Sequence, residues 1–123
     1  MKKLLLKSLF GLAFIPFVGF SQVNINMANG STTTCSANFY DNGGPGLNYS
    51  NGQNLTHTFN GAGGGSPVLT FSSFSLESGW DYVRIYDGPT TGSPLLGVFS
   101  GTGIPGPFTA TGTSLTINFT SDG

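Results

Sequence analysis

The chain has 123 residues, 37% hydrophobic and only 7% charged, with a formal net charge of −1 and a single cysteine. That length allows one small domain. The lone Cys35 closes no disulfide within the chain, so the core must hold by packing. Of the four basic residues, three (Lys2, Lys3 and Lys7) sit at the start of the chain. A body with one cation cannot neutralise a row of phosphates, which excludes nucleic acid and anionic membrane surfaces as partners.

In chain order, the three lysines precede an apolar run from Leu9 to Phe20, broken by Gly11, Pro16 and Gly19. The run is shorter than the roughly 20 apolar residues a spanning helix needs. It ends in Gly19-Phe20-Ser21, with small residues where a signal peptidase reads. Residues 1–21 are therefore expected to be a secretory signal peptide cut after Ser21, with no membrane insertion after cleavage. The mature part would hold 123 − 21 = 102 residues. It keeps Arg84 against Asp41, Glu77, Asp81, Asp87 and Asp122, a formal charge of 1 − 5 = −4.

Residues 22–34 are polar and rich in Asn, Ser and Thr, and read as a leader into the first strand or as that strand's edge. Cys35 to Tyr40 is a candidate strand. Turn signals follow in Gly43-Gly44, Pro45-Gly46 and Asn51-Gly52. Leu55, His57 and Phe59 alternate with Thr56 and Thr58, the pattern of a strand with one buried face. After a glycine-rich turn, Val68 to Leu76 forms a longer strand. Its apolar phase shifts between Phe71 and Phe74, which predicts a β-bulge or bend.

Glu77 to Asp81 is a short loop before a strand over Tyr82 to Tyr86. Val83 and Ile85 lie on one face of that strand, and Tyr82, Arg84 and Tyr86 on the other. Asp87-Gly88-Pro89 is a turn, in which the Asp87 carboxylate is expected to accept backbone N–H bonds. Strands follow over Leu95 to Ser100, Phe108 to Thr111 and Thr113 to Thr120, the last with Leu115, Ile117 and Phe119 inward. No window beyond residue 21 has a helical period. Short strands separated by Gly, Pro and Asn turns predict an all-β fold, an antiparallel β-sandwich or barrel. The chain stops at Thr120-Ser121-Asp122-Gly123, directly after a strand. That is read as a fragment boundary.

Several segments together resemble a CUB domain. They are Cys35, Asp41-Asn42-Gly43-Gly44 and Asn48-Tyr49; then Phe71 to Glu77; then Trp80-Asp81-Tyr82-Val83-Arg84-Ile85-Tyr86-Asp87-Gly88; then Leu96-Gly97-Val98-Phe99-Ser100-Gly101; and last Leu115-Thr116-Ile117-Asn118-Phe119-Thr120-Ser121-Asp122. The resemblance covers 35–123 and lacks the family's final strand. It implies a jelly-roll-like antiparallel sandwich, and a non-catalytic extracellular module that recognises proteins or glycans. It also implies an exported multi-domain protein of the bacterial kind, secreted or at the cell surface. The family often has cysteines where Asn60 and Ser100 stand, so its usual disulfides are absent.

The resemblance also implies a weak Ca²⁺ site, with affinity of about 10⁻⁴–10⁻³ M for an extracellular module. Its ligands fall on Glu77, Asp81 and Asp122, with Tyr40 or Tyr49 in support. The chemistry agrees, because carboxylate oxygens suit Ca²⁺, and converging carboxylates repel one another without a cation. Glu77, Trp80 and Asp81 are the expected partner contacts, with the equal alternative that Trp80 covers the end of the sheet. In the family such carboxylates take a lysine or arginine from the partner. The alternatives are a metal-free structural or adhesive spacer, and an accessory module of a secreted protease lying beyond the fragment. A carbohydrate-binding face is a further option, on Tyr82 and Tyr86 beside Arg84, although that face could equally be buried.

Catalysis has little support. His57 is the only histidine and Cys35 the only thiol, too few for a zinc site, and no nucleophile-elbow motif accompanies the serines. Glu77 and Asp81 sit in no visibly apolar pocket that would set up a glycosidase pair.

Overall fold

The computed structural model describes residues 3–10, as a strand with its pairing, and residues 22–123. The latter part of the apolar run and the expected cleavage point, residues 11–21, lie outside the described residues.

Among the described residues, ten strands form two five-stranded sheets. In chain order they are β1 (Lys3–Phe10), β2 (Val23–Asn26), β3 (Gly30–Thr34), β4 (Ser36–Tyr40), β5 (Asn54–Gly61), β6 (Pro67–Ser75), β7 (Tyr82–Tyr86), β8 (Leu95–Phe99), β9 (Phe108–Thr109) and β10 (Ser114–Thr120). The first sheet runs β2-β4-β1-β6-β9 and the second β3-β5-β10-β7-β8. Among the described residues there is no α-helix, and no helix long and apolar enough to cross a membrane. The all-β sandwich expected from the strand pattern is the fold.

Most pairings are antiparallel, but β2 runs parallel to β4 and β3 parallel to β5. Both β2 and β3 come from the polar stretch read as a leader, and both lie at sheet edges. An edge strand needs only one ladder, so strands with no fully buried residue suffice there.

The core lies between the sheets. On the second sheet Leu115, Ile117 and Phe119 of β10 face it, flanked by Phe59 of β5 and by Val83 and Ile85 of β7. On the first sheet Phe39, Leu69, Phe71 and Phe74 face it. Phe39 meets Phe59 edge-on with ring centroids 4.8 Å apart, and Tyr49 meets Phe119 edge-on at 5.0 Å. Such contacts add to the area term for aromatic pairs. The expected bulge in β6 is present. Leu5 of β1 pairs with Ser73 and Leu6 with Phe71, so Ser72 is the extra residue, and Phe71 and Phe74 both reach the core.

His57 is a core histidine. It is buried, with Nδ1 2.8 Å from the Ala28 carbonyl oxygen and Nε2 2.9 Å from the Thr32 hydroxyl. Its bonds tie the segment entering β3 to β5.

β1 occupies the middle of the first sheet, paired antiparallel to β4 on one side and to β6 on the other. A chain lacking residues 1–21 would lose both ladders at once. We expect its urea midpoint to fall well below that of the whole chain; equal midpoints would show that β1 contributes nothing to the sheet's stability. Phe119→Ala, which empties a fully buried ring site between the sheets, should cost about 3–5 kcal/mol in the same measurement.

Candidate functional site

At one end of the sandwich three loops meet: the segment from β4 to β5, the turn from β6 to β7, and the residues after β10. The middle loop is built on its first residue. The Glu77 carbonyl accepts the Trp80 N–H at 3.3 Å and the Asp81 N–H at 3.0 Å, a single helix-like turn. Gly79 permits it by taking a φ of 81°, a left-handed value costly for other residues. The turn brings Glu77 and Asp81 to the same end of the molecule.

Ser100 locks this turn from outside. Its Oγ donates to the Glu77 carbonyl at 3.2 Å and accepts the Gly79 N–H at 2.9 Å. One residue on, the Gly101 carbonyl accepts the Leu76 N–H at 2.9 Å. A hydroxyl at Ser100 thus joins the end of β8 to the loop.

Asp81 is the centre of the site. Its side chain is 0% exposed, yet it carries two polar oxygens. Both are satisfied by neutral donors. Oδ1 accepts the Asp122 backbone N–H at 3.0 Å, and Oδ2 accepts the Tyr49 hydroxyl in a short hydrogen bond. The Tyr49 oxygen in turn accepts the Glu77 N–H at 3.2 Å. Burial, and then the hydrogen bond to Asp81, push the Tyr49 phenol well above its ordinary value of 10.0. It therefore stays a donor through the physiological range.

Asp122 is fixed by its neighbours. The Ser121 N–H donates to the Gln53 carbonyl at 2.9 Å, and the Ser121 hydroxyl to the Ser50 carbonyl at 2.8 Å. The Gly52 N–H donates to the Asp122 carbonyl. Residues 49–53 and 121–122 are stitched together beside Asp81.

The result is a compact carboxylate cluster. Glu77, Asp81 and Asp122 each offer one oxygen, and these three oxygens lie within 4.8 Å of one another. Glu77 is exposed, Asp81 buried and Asp122 intermediate. Oxygen atoms on one Ca²⁺, each at about 2.3–2.6 Å, are separated by no more than about 5 Å. The spacing and the all-oxygen chemistry fit a hard cation.

The three residues expected as ligands are thus brought together. Of the two tyrosines left open, Tyr49 supports the site. Tyr40 lies in β4 and accepts the Met27 N–H on its carbonyl. Trp80 lies beside Asp81 with 65% of its surface exposed, so it does not cover the sheet end. Asp87 is structural, accepting the Thr111 N–H at 2.9 Å and the Thr111 hydroxyl at 2.7 Å. Asp41 is buried and accepts the Gly43 N–H at 2.8 Å, in its own turn. Ser100, noted in the sequence only for the absence of a cysteine, holds the Glu77 turn, a role that no local pattern signals.

The chain matches the CUB domain family over residues 28–123. It is similar to cubilin of Sus scrofa, 43% identical over 61 residues, and to cubilin of Homo sapiens, 41% identical over 61 residues. Each match covers 44% of this chain and 2% of the cubilin. It is also similar to tolloid-like protein 2 of Mus musculus, 35% identical over 78 residues, 60% of this chain and 8% of that protein. The chain therefore spans a small fraction of the length of these relatives.

Tyr49 sets a testable pH dependence. Its folded value is raised, so its contribution to stability is complete below pH 10 and is lost as pH rises above it, where the unfolded chain ionises first. Tyr49→Phe should remove that alkaline loss relative to the parent chain. At neutral pH it should cost about 1–3 kcal/mol, because Asp81 Oδ2 is left unpaired. Denaturant titrations at pH 8 and pH 11 read both effects.

Proposed function

The chain belongs to the CUB domain family, a family of non-catalytic modules, and from that premise we propose that it is a Ca²⁺-assisted recognition module of an exported protein. The observation that carries the reading is the meeting of Glu77, Asp81 and Asp122 within 4.8 Å around a carboxylate with no solvent exposure. Ca²⁺ would be held by these three residues and would offset their mutual repulsion. It would also cross-link the turn from β6 to β7 with the segment after β10.

In this reading residues 1–21 are a signal peptide and the module acts outside the cell, on a protein or a glycan. With Glu77 exposed, part of the negative charge faces solvent. A lysine or arginine of a protein partner would approach there, and the exposed Trp80 would add apolar area at the centre of the contact, where tryptophan is enriched in binding hot spots. Cleavage after Ser21 would take β1 out of the first sheet, so another strand would have to close the facing edges of β4 and β6.

A thermal melt of the whole chain in millimolar Ca²⁺ and in chelator tests the metal. A ligand bound only by the folded state at ten times its Kd stabilises by about 1.4 kcal/mol, a rise in Tm of several degrees for a domain of this size. The rise should vanish in Asp81→Asn. An unchanged Tm in a folded sample would remove the metal from the reading.

A further inference from the structure

The outward face of the second sheet carries an arrangement that the Ca²⁺ reading does not use. On β7, Val83 and Ile85 point into the core, and Tyr82, Arg84 and Tyr86 point outward, each partly exposed. Across the ladders, Asn118 and Thr120 of β10 stand opposite Arg84 and Tyr82. Val98 of β8 stands opposite Arg84 from the other side, and is exposed.

Arg84 is the only cation after residue 7, and a guanidinium cannot shed its charge. Its contacts are neutral. Nη1 donates to Thr120 Oγ1 at 3.1 Å and to Asn118 Oδ1 at 3.4 Å, and the group lies 5.3 Å from the centre of the Tyr82 ring. The Asn118 amide is itself held by Asn54 Oδ1 at 3.0 Å and Thr56 Oγ1 at 3.1 Å. A polar seam across three strands thus fixes one guanidinium on an open face. Its counter-charge is not among these contacts. The remaining donors form a fork that matches a carboxylate.

We propose that this face binds a glycan that carries a single carboxylate, such as an oligosaccharide ending in one uronic acid. The carboxylate pairs with Arg84. The apolar C–H face of a neighbouring sugar ring lies on Tyr86, and the hydroxyls meet the seam of Asn54, Thr56 and Asn118; Tyr82, its hydroxyl donating to the Gly79 carbonyl at 2.9 Å and its ring beside the guanidinium, holds Arg84 in place. From Tyr82 to Tyr86 the strand rises about 14 Å, room for a short oligosaccharide. The turn after β7 bounds the platform at one end, where the Thr116 hydroxyl donates to the Gly88 carbonyl at 2.8 Å. The proposal deepens the reading of the chain as a recognition module but uses the sheet face, not the carboxylate loops.

The test is calorimetric titration of the whole chain, in chelator, with a galactose tetramer whose terminal residue is galacturonic acid and with the neutral galactose tetramer. The acidic tetramer should bind, and the neutral one at least tenfold more weakly. Arg84→Gln should lose tenfold or more, and Arg84→Lys should fall between, keeping the charge without the fork. Tyr86→Ala should weaken binding with Arg84 intact, which keeps the test decisive should Arg84→Gln fail to fold. No binding to the folded parent in chelator overturns the proposal, as does equal affinity in folded Arg84→Gln. Binding that appears only when Ca²⁺ is added also overturns it, by moving the ligand to the carboxylate loops and leaving the recognition module intact.

Discussion

A carboxylate withdrawn from water must find donors or it destabilises the fold. Asp81 is that carboxylate, and the loop end of the sandwich is arranged around its needs. One donor is a phenol 32 residues earlier in the chain, and the other a backbone amide 41 residues later. Neither donor can move without leaving Asp81 unpaired, so three loops of different origin are held in one register. The Glu77 turn and the Ser121 clasp refine that arrangement. The position of the other two carboxylates follows from it, since one is four residues away on the same turn and the other carries the donating amide.

Much of the sandwich was legible because alternation is a local signal. Val83 and Ile85, or Leu115, Ile117 and Phe119, announce their buried face within five residues, and the phase slip between Phe71 and Phe74 announces the bulge at Ser72. The meeting of Glu77, Asp81 and Asp122 was legible by a different route, through similarity in the order of motifs. What neither route reaches is contact between distant segments. Tyr40 and Tyr49 are alike as sequence, and only the path of the loop after β4 decides that Tyr49 meets Asp81. Ser100 is one serine among many until β8 delivers it to the Glu77 carbonyl. The outward direction of Tyr82, Arg84 and Tyr86 was also undecided by pattern alone, because period two assigns two faces without saying which is wet.

The first sheet carries a tension of its own. Lys3–Phe10 has the composition of a leader and the position of a central strand. A central strand is the one a sheet can least spare, because its removal unpairs two neighbours at once. In the proposed reading of residues 1–21 as a signal peptide, folding of this arrangement and removal of the leader would be competing events, and their order would decide whether β4 and β6 keep β1 between them.

Trp80 is the only tryptophan in the chain, and it projects into solvent next to the residue on which the loop end is built. Its indole emission therefore comes from a single known place. Any event that dries, quenches or reorients that place changes the whole of the tryptophan signal rather than a fraction of it. The protein thus carries an intrinsic optical probe at its carboxylate cluster, and occupancy there can be followed by eye of a fluorimeter without a label and without disturbing a single contact.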